Sequence, residues 1–293
     1  MSKLKALIKR NIKIFFSNKS NIFFSTLALI ILVILHFAVF KSQHANVLLD
    51  LGVDIEEKWA YWFSDSLMLS SIIPIAGITI SLTSLSQIVS DKEKNIINDL
   101  YISPLNKSTL LFSYILSSII ISLCLIFIYI LFLIGYFYFV YGLLFNVVQL
   151  LSILGLTILS VLLGNFFVLI IVSFIKRERA MGALGTILGT LMGFLCGSYI
   201  PVGILGDSIS KIFTLLPFLP ITSLTRQTFF SSINSTSIPS EILNGELANI
   251  YGYKLLLNGT ELTTFTLIMI IIIYIILFLL INIVIFKRMR NTD

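Results

Sequence analysis

Charged side chains are scarce in this sequence, and long stretches contain none. Only 12% of the 293 residues are Asp, Glu, Lys or Arg, whereas a soluble domain carries about 25%. About 20 apolar residues cross the hydrocarbon core of a membrane as a helix, so the composition excludes a soluble enzyme. The continuous runs also exclude a β-barrel, whose strands alternate every second residue. The charge-free runs are 20–40, 66–90, 108–175, 180–206 and 262–286.

Motifs for catalysis, metal binding and nucleotide binding are also missing. The sequence contains no G-x-x-x-x-G-K-[ST] motif for ATP phosphates and no H-E-x-x-H motif for zinc. Cys124 and Cys196 lie in apolar runs, so they form no disulfide framework. His36 and His44 have no metal-ligand neighbour in the sequence. We therefore predict no catalytic residue, no metal site and no cofactor on this chain.

The charge-free runs predict six transmembrane helices, because the run of 68 residues has room for two crossings and a turn. Of the 20 basic residues, 15 precede the first span, follow the last, or lie between spans two and three or four and five. The positive-inside rule then places both termini in the cytoplasm. We predict an all-α, multi-pass protein of the cell membrane, with no nucleic-acid partner despite the net charge of +6. The predicted spans are 21–40, 66–89, 110–139, 147–175, 181–198 and 262–286.

The segments that precede span one and span two both have features typical of the membrane interface. Residues 1–20 predict an amphipathic helix lying on the membrane, with Lys9, Arg10 and Lys13 opposite its apolar face. An aromatic cluster before span two predicts an anchor at the outer interface. This cluster consists of Trp59, Tyr61, Trp62 and Phe63. None of the six spans, as bounded here, contains Asp, Glu, Lys or Arg, which disfavours an ion-coupled pump.

Span two carries a polar stripe in its inner half. Its four residues recur at i, i+4, i+7 and i+8, so they share one helix face. The stripe either bonds to neighbouring helices or lines a translocation path. Pro74 and Gly77 predict a kink in the same span. The stripe consists of Thr79, Thr83, Ser86 and Gln87.

Span five carries a glycine at every fourth position. Such a stripe lets another helix approach to backbone distance, either within one subunit or at a subunit interface bordering a cavity. Segment 199–230 is apolar but broken by prolines, and it predicts a re-entrant outer hairpin. Residues 231–261 predict a polar outer subdomain, and residues 262–293 contain span six and a basic tail. The glycines are Gly185, Gly189, Gly193 and Gly197, and the prolines are Pro201, Pro217 and Pro220.

The connection between spans two and three predicts a short amphipathic helix within residues 91–104. Ile96, Ile97 and Leu100 give it an apolar face, and Ser103-Pro104 ends it. A helix of this kind suits docking into a groove of another protein. A solvated turn fits the same spacing.

The whole sequence resembles in layout the membrane subunit of the ABC type-2 exporter family. That family has a basic interfacial helix, six spans, cytoplasmic termini and a long last outer connection. Its second connection typically reads E-x-G-T-[IL]-E-x-L-x-x-[ST]-P. Glu93, Leu100, Ser103 and Pro104 match this pattern.

The sequence departs from that pattern at two places. Asn95-Ile96 replaces the Gly-Thr pair, and Asn98 replaces the second acid, with Asp99 beside it. The proline-broken outer segment of the family, which is followed by an arginine, corresponds to 199–220 and Arg226.

The resemblance implies an ATP-driven exporter. Two membrane subunits, identical or different, would form a dimer, and each would bind a separate ATP-binding cassette subunit that carries ATP and Mg. Spans two and five would line a central cavity and the dimer interface. The 199–230 segment, with Pro201, Pro217, Pro220 and Arg226, would form the outer gate. Docking would use the N-terminal helix together with Asp91, Glu93, Lys94, Asp99, Leu100, Ser103 and Pro104.

The uncharged path indicates an apolar or amphipathic cargo, such as a drug, a toxin or a lipid-like metabolite. Two alternatives belong to other classes. A self-contained secondary carrier or channel would work without an ATPase. A non-transporting immunity or sensor protein would bind a toxin through the 231–261 region.

Overall fold

The computed structural model describes residues 3–50, 55–102, 106–232 and 245–292, and most of these residues are helical. The N-terminal half begins with α1 (Lys3–Ser17), α2 (Lys19–Leu35), a π-helical turn (His36–Phe40) and α3 (Lys41–Asp50). It continues with α4 (Glu57–Leu69), α5 (Ile72–Glu93), α6 (Ile96–Ile102) and α7 (Lys107–Tyr141). The rest comprises α8 (Val147–Phe174), α9 (Glu178–Leu195), a 3₁₀ turn (Val202–Ile204), α10 (Asp207–Leu215), α11 (Phe218–Phe230), α12 (Glu246–Ile250), β1 (Leu256–Leu257), β2 (Thr260–Glu261) and α13 (Thr264–Thr292).

Among the described residues, five helical stretches are long and apolar enough to cross a membrane, and the bent pair α10–α11 makes a sixth if its two helices form one broken span. The two helices of that pair meet at 81°. Predicted span five lies in α9, which is not one of the six, because Glu178, Arg179 and four glycines lower its hydropathy. The five stretches are Lys19–Asp50, Glu57–Glu93, Lys107–Tyr141, Val147–Phe174 and Thr264–Arg288.

Helix α5 forms the centre of the bundle and packs against α2, α7, α8 and α9. Its closest neighbour is α8, and the two backbones meet at Gly77 and Gly164. A Cβ atom on Gly164 would lie 2.2 Å from the carbonyl oxygen of Gly77. Two glycines are therefore required where these helices cross, since any side chain would force them apart.

Local sequence features determine where α7 ends and where α8 begins. Helix α7 ends at Gly142, whose φ of +74° lies in the left-handed region that glycine adopts without strain. Asn146 then accepts a hydrogen bond from the backbone N–H of Gln149, and the Gln149 side chain accepts from the Asn146 N–H. This capping box satisfies two N–H groups at the start of α8. The predicted turn between spans three and four is confirmed.

The break in the second apolar stretch lies at Ser70–Ser71, between α4 and α5. The break lies in the turn before Pro74, where a proline acts, because Pro74 has no N–H to donate to the carbonyl of Ser70. The predicted kink is therefore present next to Pro74, whereas Gly77 lies inside α5. Pro74 sits in the first turn of α5, where a missing N–H costs nothing.

Two of the four rings in the aromatic cluster before span two face the inside of the bundle. Trp62 and Phe63 are buried, and both rings pack on Phe230 of α11 at 5.2 Å between centroids. The predicted anchor is wrong for Trp62 and Phe63, because α11 folds over α4 and covers their rings. Trp59 and Tyr61 are half-buried, and their role as an anchor stays a prediction.

Part of the predicted outer subdomain is a small hairpin. Strands β1 and β2 are antiparallel and joined by Asn258 and Gly259, both with positive φ. Asn-Gly is the preferred pair for such a two-residue turn. Residues 233–244 of this subdomain lie outside the described residues.

Candidate functional site

The end of the bundle where α5 and α8 finish and α7 begins carries many cations, and we call it the basic end. Its lysines include Lys92, Lys94, Lys107, Lys176 and Lys287. Here the N-terminal helix is joined to α5 and α7. The buried residues of α1 are Leu7, Asn11 and Phe15, and Asn11 Nδ2 donates to Ser117 Oγ of α7 at 3.3 Å.

A buried carboxylate, Asp91, holds α1 in place. Arg10 Nη1 donates to Asp91 Oδ2 at 2.8 Å, and the Asp91 side chain is 1% exposed. Tyr114 of α7 donates to the same oxygen, and Gln87 donates to Oδ1 at 2.7 Å. Burial lowers the pKa of Arg10, but the hydrogen bond and the charge of Asp91 outweigh it and raise that pKa above its ordinary value. Asp91 therefore lies inside the bundle and not on a docking surface.

Glu93, the last residue of α5, contacts the start of α9. Its Oε2 accepts a hydrogen bond from the backbone N–H of Glu178 at 2.6 Å. A carboxylate is favoured there by the dipole of the helix that begins at Glu178. Lys94 Nζ donates to Ser90 Oγ at 2.9 Å and lies 3.6 Å from the Glu178 carboxylate. The predicted docking connection is thus joined to the glycine-rich helix α9.

Asn95 forms the turn between α5 and α6 with a φ of +58°. Asn is one of the few residues besides Gly that adopts this left-handed conformation at modest cost. The replacement of the family's Gly by Asn therefore preserves the turn. After it, α6 packs Ile97 and Leu100 against the bundle and leaves Asp99 exposed. Ser103 and Pro104 lie outside the described residues.

The polar stripe of span two bonds mainly to its own helix. The hydroxyls of Thr79, Thr83 and Ser86 each donate to a backbone carbonyl of the preceding turn. Thr79 is buried, whereas Thr83, Ser86 and Gln87 are half-buried. The hydroxyls need no further partner, and their role in a translocation path remains a prediction.

A buried polar seam that the sequence reading missed lies on another face of α5. Asn165 of α8 donates to Ser81 Oγ at 2.8 Å, and Ser84 shares a 2.5 Å hydrogen bond with Ser118 of α7. Ser81 also lies 3.5 Å from Ser122. Such side chains join helices inside a membrane. The available signal was the helical spacing of serines in α7, namely Ser113, Ser117, Ser118 and Ser122.

The glycine stripe of α9 packs within the chain over part of its length. A Cβ on Gly189 would lie 3.1 Å from Ala28 Cβ of α2, and one on Gly185 would lie 3.7 Å from Leu82 of α5. Gly193 is covered by the ring of Tyr199. Gly197 lies beyond α9 with a φ of +59°.

A second buried carboxylate, Asp65 of α4, lies at the opposite end of the bundle. His36 Nε2 is 2.6 Å from its Oδ1, and Lys41 Nζ donates to its Oδ2 at 3.0 Å. The hydroxyls of Tyr136 and Tyr141 donate to Oδ2 as well. The cluster joins the first apolar stretch to α4 and α7.

The Asp65 cluster narrows one expectation. Asp65 lies one residue before predicted span two but inside the apolar helical stretch Glu57–Glu93, and it is fully buried. The absence of charged residues therefore holds for predicted span two but does not extend to the whole helical stretch. His36, which the sequence left without a role, is one of the partners of Asp65.

Arg226 of α11 is buried at 1% exposure and binds backbone groups from several segments. Its N–H groups make five hydrogen bonds of 2.6–3.3 Å. They join α11 to the α4–α5 break, the end of α9 and the turn that follows α12. The acceptors are the carbonyls of Leu67, Cys196, Gly197 and Tyr251 and the hydroxyl of Ser71.

The three gate prolines occupy the irregular parts of the same region. Pro201 precedes the 3₁₀ turn, and Pro217 lies at the 81° bend between α10 and α11. Pro220 is buried in the first turn of α11. Their arrangement fits either a broken span or a re-entrant segment.

The bundle of long apolar helices, with polar groups turned inward, defines a multi-pass membrane protein. Within the described residues, no group of three or more His, Cys, Asp or Glu side chains could hold a metal ion. The sequence matches the family described as ABC-2 type transporter over residues 2–230. The chain belongs to this family and is therefore a transport permease. No curated protein was found to match the sequence.

Proposed function

We propose that this chain is the transmembrane subunit of an ATP-driven exporter, powered by a separate ATP-binding subunit that carries ATP and Mg. The observation that carries the proposal is the double attachment of the α5–α6 connection. Asp91 joins it to α1, and Glu93 joins it to α9. A push on α6 from the basic end would therefore move α1, α5 and α9 together.

The exposed side of α6 suits a partner subunit. Asp99 is exposed, while Ile97 and Leu100 face the bundle. The concentration of lysines at this end supports a cytoplasmic location for it and for both termini, by the positive-inside rule. An ATPase in the cytoplasm would then meet α6 and α1 first.

The second membrane subunit, identical or different, would contact the exposed side of α2 and α9. Ile187 and Leu191 are exposed on α9, and Ile30 and Ile34 are exposed on α2. The cargo would be an apolar or amphipathic drug, toxin or lipid-like metabolite, moved out of the cell past the α10–α11 gate. The described helices offer such a cargo few charged contacts outside the two carboxylate clusters.

The test is purification of the tagged chain from its native membrane in mild detergent, with an ATP hydrolysis assay on the eluate. We expect a stoichiometric partner that contains G-x-x-x-x-G-K-[ST] and hydrolyses ATP. The variant Asp99→Lys should lose this partner, whereas Glu57→Lys, exposed at the opposite end, should retain it. Recovery of the chain alone in several detergents would overturn the proposal.

A second candidate is a self-contained secondary carrier, and the Asp65–His36 pair favours it. Buried ionisable groups in membrane proteins often mark ion or proton pathways. The carrier predicts transport in liposomes that contain this chain alone and a proton gradient. The Asp65→Asn variant should abolish that transport, while ATP should have no effect on it.

A further inference from the structure

A cleft at the basic end of the bundle has no part in the proposed mechanism. It holds about 80 Å³ of space between α5, α6, α7, α8 and α13, and it opens to the surroundings. Most of its lining is apolar, as at Leu169, Val172 and Phe286. Clefts that hold small ligands are mainly apolar with a few placed polar groups. The cleft therefore has the composition to hold part of an amphipathic ligand.

Two lysines, Lys92 and Lys107, give the cleft a positive charge. Its described lining contains no acidic side chain. Lys92 is half-buried, and the structure gives its ammonium group no hydrogen bond or ion pair among the described residues. A partly buried cation without a counter-charge is unfavourable, so an anion from outside the chain would stabilise this arrangement.

We infer that the cleft binds one anionic phospholipid, with its phosphate at Lys92 and Lys107 and an acyl chain along Leu169 and Phe286. The part of the cleft with the two lysines suits the phosphate of such a lipid, and the apolar part suits its acyl chain. Basic pockets between transmembrane helices recognise anionic headgroups. Because the space is small, only part of an acyl chain would lie along the apolar wall, and the rest would extend into the surrounding bilayer.

The bound lipid would reach the connection that transmits the proposed ATPase movement. Ile97 of α6 and Tyr114 of α7 both line the cleft. The hydroxyl of Tyr114 also donates a hydrogen bond to Asp91. The lipid would hold α6 against α7 and α8. This consequence rests on the proposed function, whereas binding of the lipid does not.

The experiment is native mass spectrometry of the purified full-length chain, incubated with phosphatidylglycerol or phosphatidylcholine. The variant Lys92→Gln/Lys107→Gln removes the charge of the cleft. Ser173→Phe keeps the charge but fills the apolar part, since Ser173 lines the cleft and is only half-buried. The matched control Lys176→Gln/Lys287→Gln removes two exposed charges from the same end outside the lining.

We expect the double variant in the cleft to bind phosphatidylglycerol about tenfold less than the unmodified chain, because each lysine contributes to attraction of an anionic lipid. Ser173→Phe should lose binding to a similar degree, and the control should retain it. Equal binding of phosphatidylcholine, equal loss in the control, or full binding by Ser173→Phe would overturn the inference. Normal lipid binding without a copurified ATPase would instead count against the proposed function alone.

Discussion

Arg10 Nη1 and Asp91 Oδ2 are joined by a 2.8 Å hydrogen bond between residues 81 positions apart. The bond attaches the N-terminal helix to the last turns of α5, immediately before the turn to α6. Because Tyr114 donates to the same carboxylate oxygen, α7 is part of the same junction. Three elements at the basic end therefore share one buried charge.

Removal of Arg10 should release α1 from the bundle. In Arg10→Ala, the Asp91 carboxylate stays buried without its cation, which costs roughly 3 kcal/mol when one partner of a buried pair is lost. We expect a lower thermal unfolding midpoint in detergent and faster proteolysis between α1 and α2. Lys9→Ala, at an exposed position of the same helix, should leave both unchanged.

The double variant Arg10→Ala/Asp91→Asn separates charge burial from loss of contacts. The amide that replaces the Asp91 carboxylate is neutral and needs no cation. The stability of the double variant should therefore partly recover relative to Arg10→Ala. A double variant that is less stable than both single variants would contradict the role of the ion pair.

Replacement of Glu93 by Ala should loosen the start of α9. The variant loses the acceptor for the Glu178 N–H, and loss of such a cap costs about 1 kcal/mol. Hydrogen exchange should become faster over the first turns of α9. The effect of the membrane subunit on the rate of ATP hydrolysis by the copurified partner should become smaller. Lys94→Ala removes an exposed ion pair and a hydrogen bond to Ser90 but leaves the Glu178 N–H capped, so it should change exchange little. Unchanged exchange in Glu93→Ala would show that the contact does not hold α9.

The helices were predictable because burial in lipid requires long runs without charge. Predicted span four, 147–175, coincides almost completely with α8, which ends at Phe174. The turn residues at its start were also visible in the sequence. Predicted span five, 181–198, has the same length as α9 but lies three residues further along the chain, and α9 begins with the charged residues Glu178 and Arg179.

The polar junctions were not predictable, because their partners are far apart in the sequence. Asp65 meets His36 and Tyr141, which lie 29 and 76 positions away. Hydropathy reflects the charge of Asp65 but not the distant groups that compensate for the free-energy cost of burying its carboxylate. Trp62 was misread for the same reason, since the ring that covers it belongs to α11.

The turn at Asn95 predicts a difference between Gly and β-branched replacements. Its φ of +58° disfavours most side chains by roughly 1–2 kcal/mol. Asn95→Gly should keep the turn, and Asn95→Val should strain it. We expect faster hydrogen exchange over α6 in Asn95→Val than in Asn95→Gly. Equal exchange in the two variants would mean that the left-handed turn is not maintained in the membrane.

The crossing of α5 and α8 predicts opposite effects for two alanine substitutions in one helix. A Cβ on Gly164 would overlap the Gly77 carbonyl, so Gly164→Ala should destabilise the bundle by about 1–3 kcal/mol. A Cβ on Gly155 would meet no neighbouring atom within 4 Å, so Gly155→Ala should be neutral or stabilising. Thermal unfolding midpoints in detergent measure the contrast, and a neutral Gly164→Ala would contradict the close approach.

The buried guanidinium of Arg226 predicts that lysine cannot replace it. Lysine keeps the charge but offers three donors from one atom, whereas Arg226 reaches five acceptors in a planar arrangement. Each backbone carbonyl left without a partner costs roughly 1–3 kcal/mol. We expect Arg226→Lys to lower the thermal unfolding midpoint and to speed hydrogen exchange at the α4–α5 break and the end of α9 together. Lys211→Met, on α10, should do neither. If exchange rose in α11 alone, Arg226 would not connect these segments, and the outer region would have to move independently of α5 and α9.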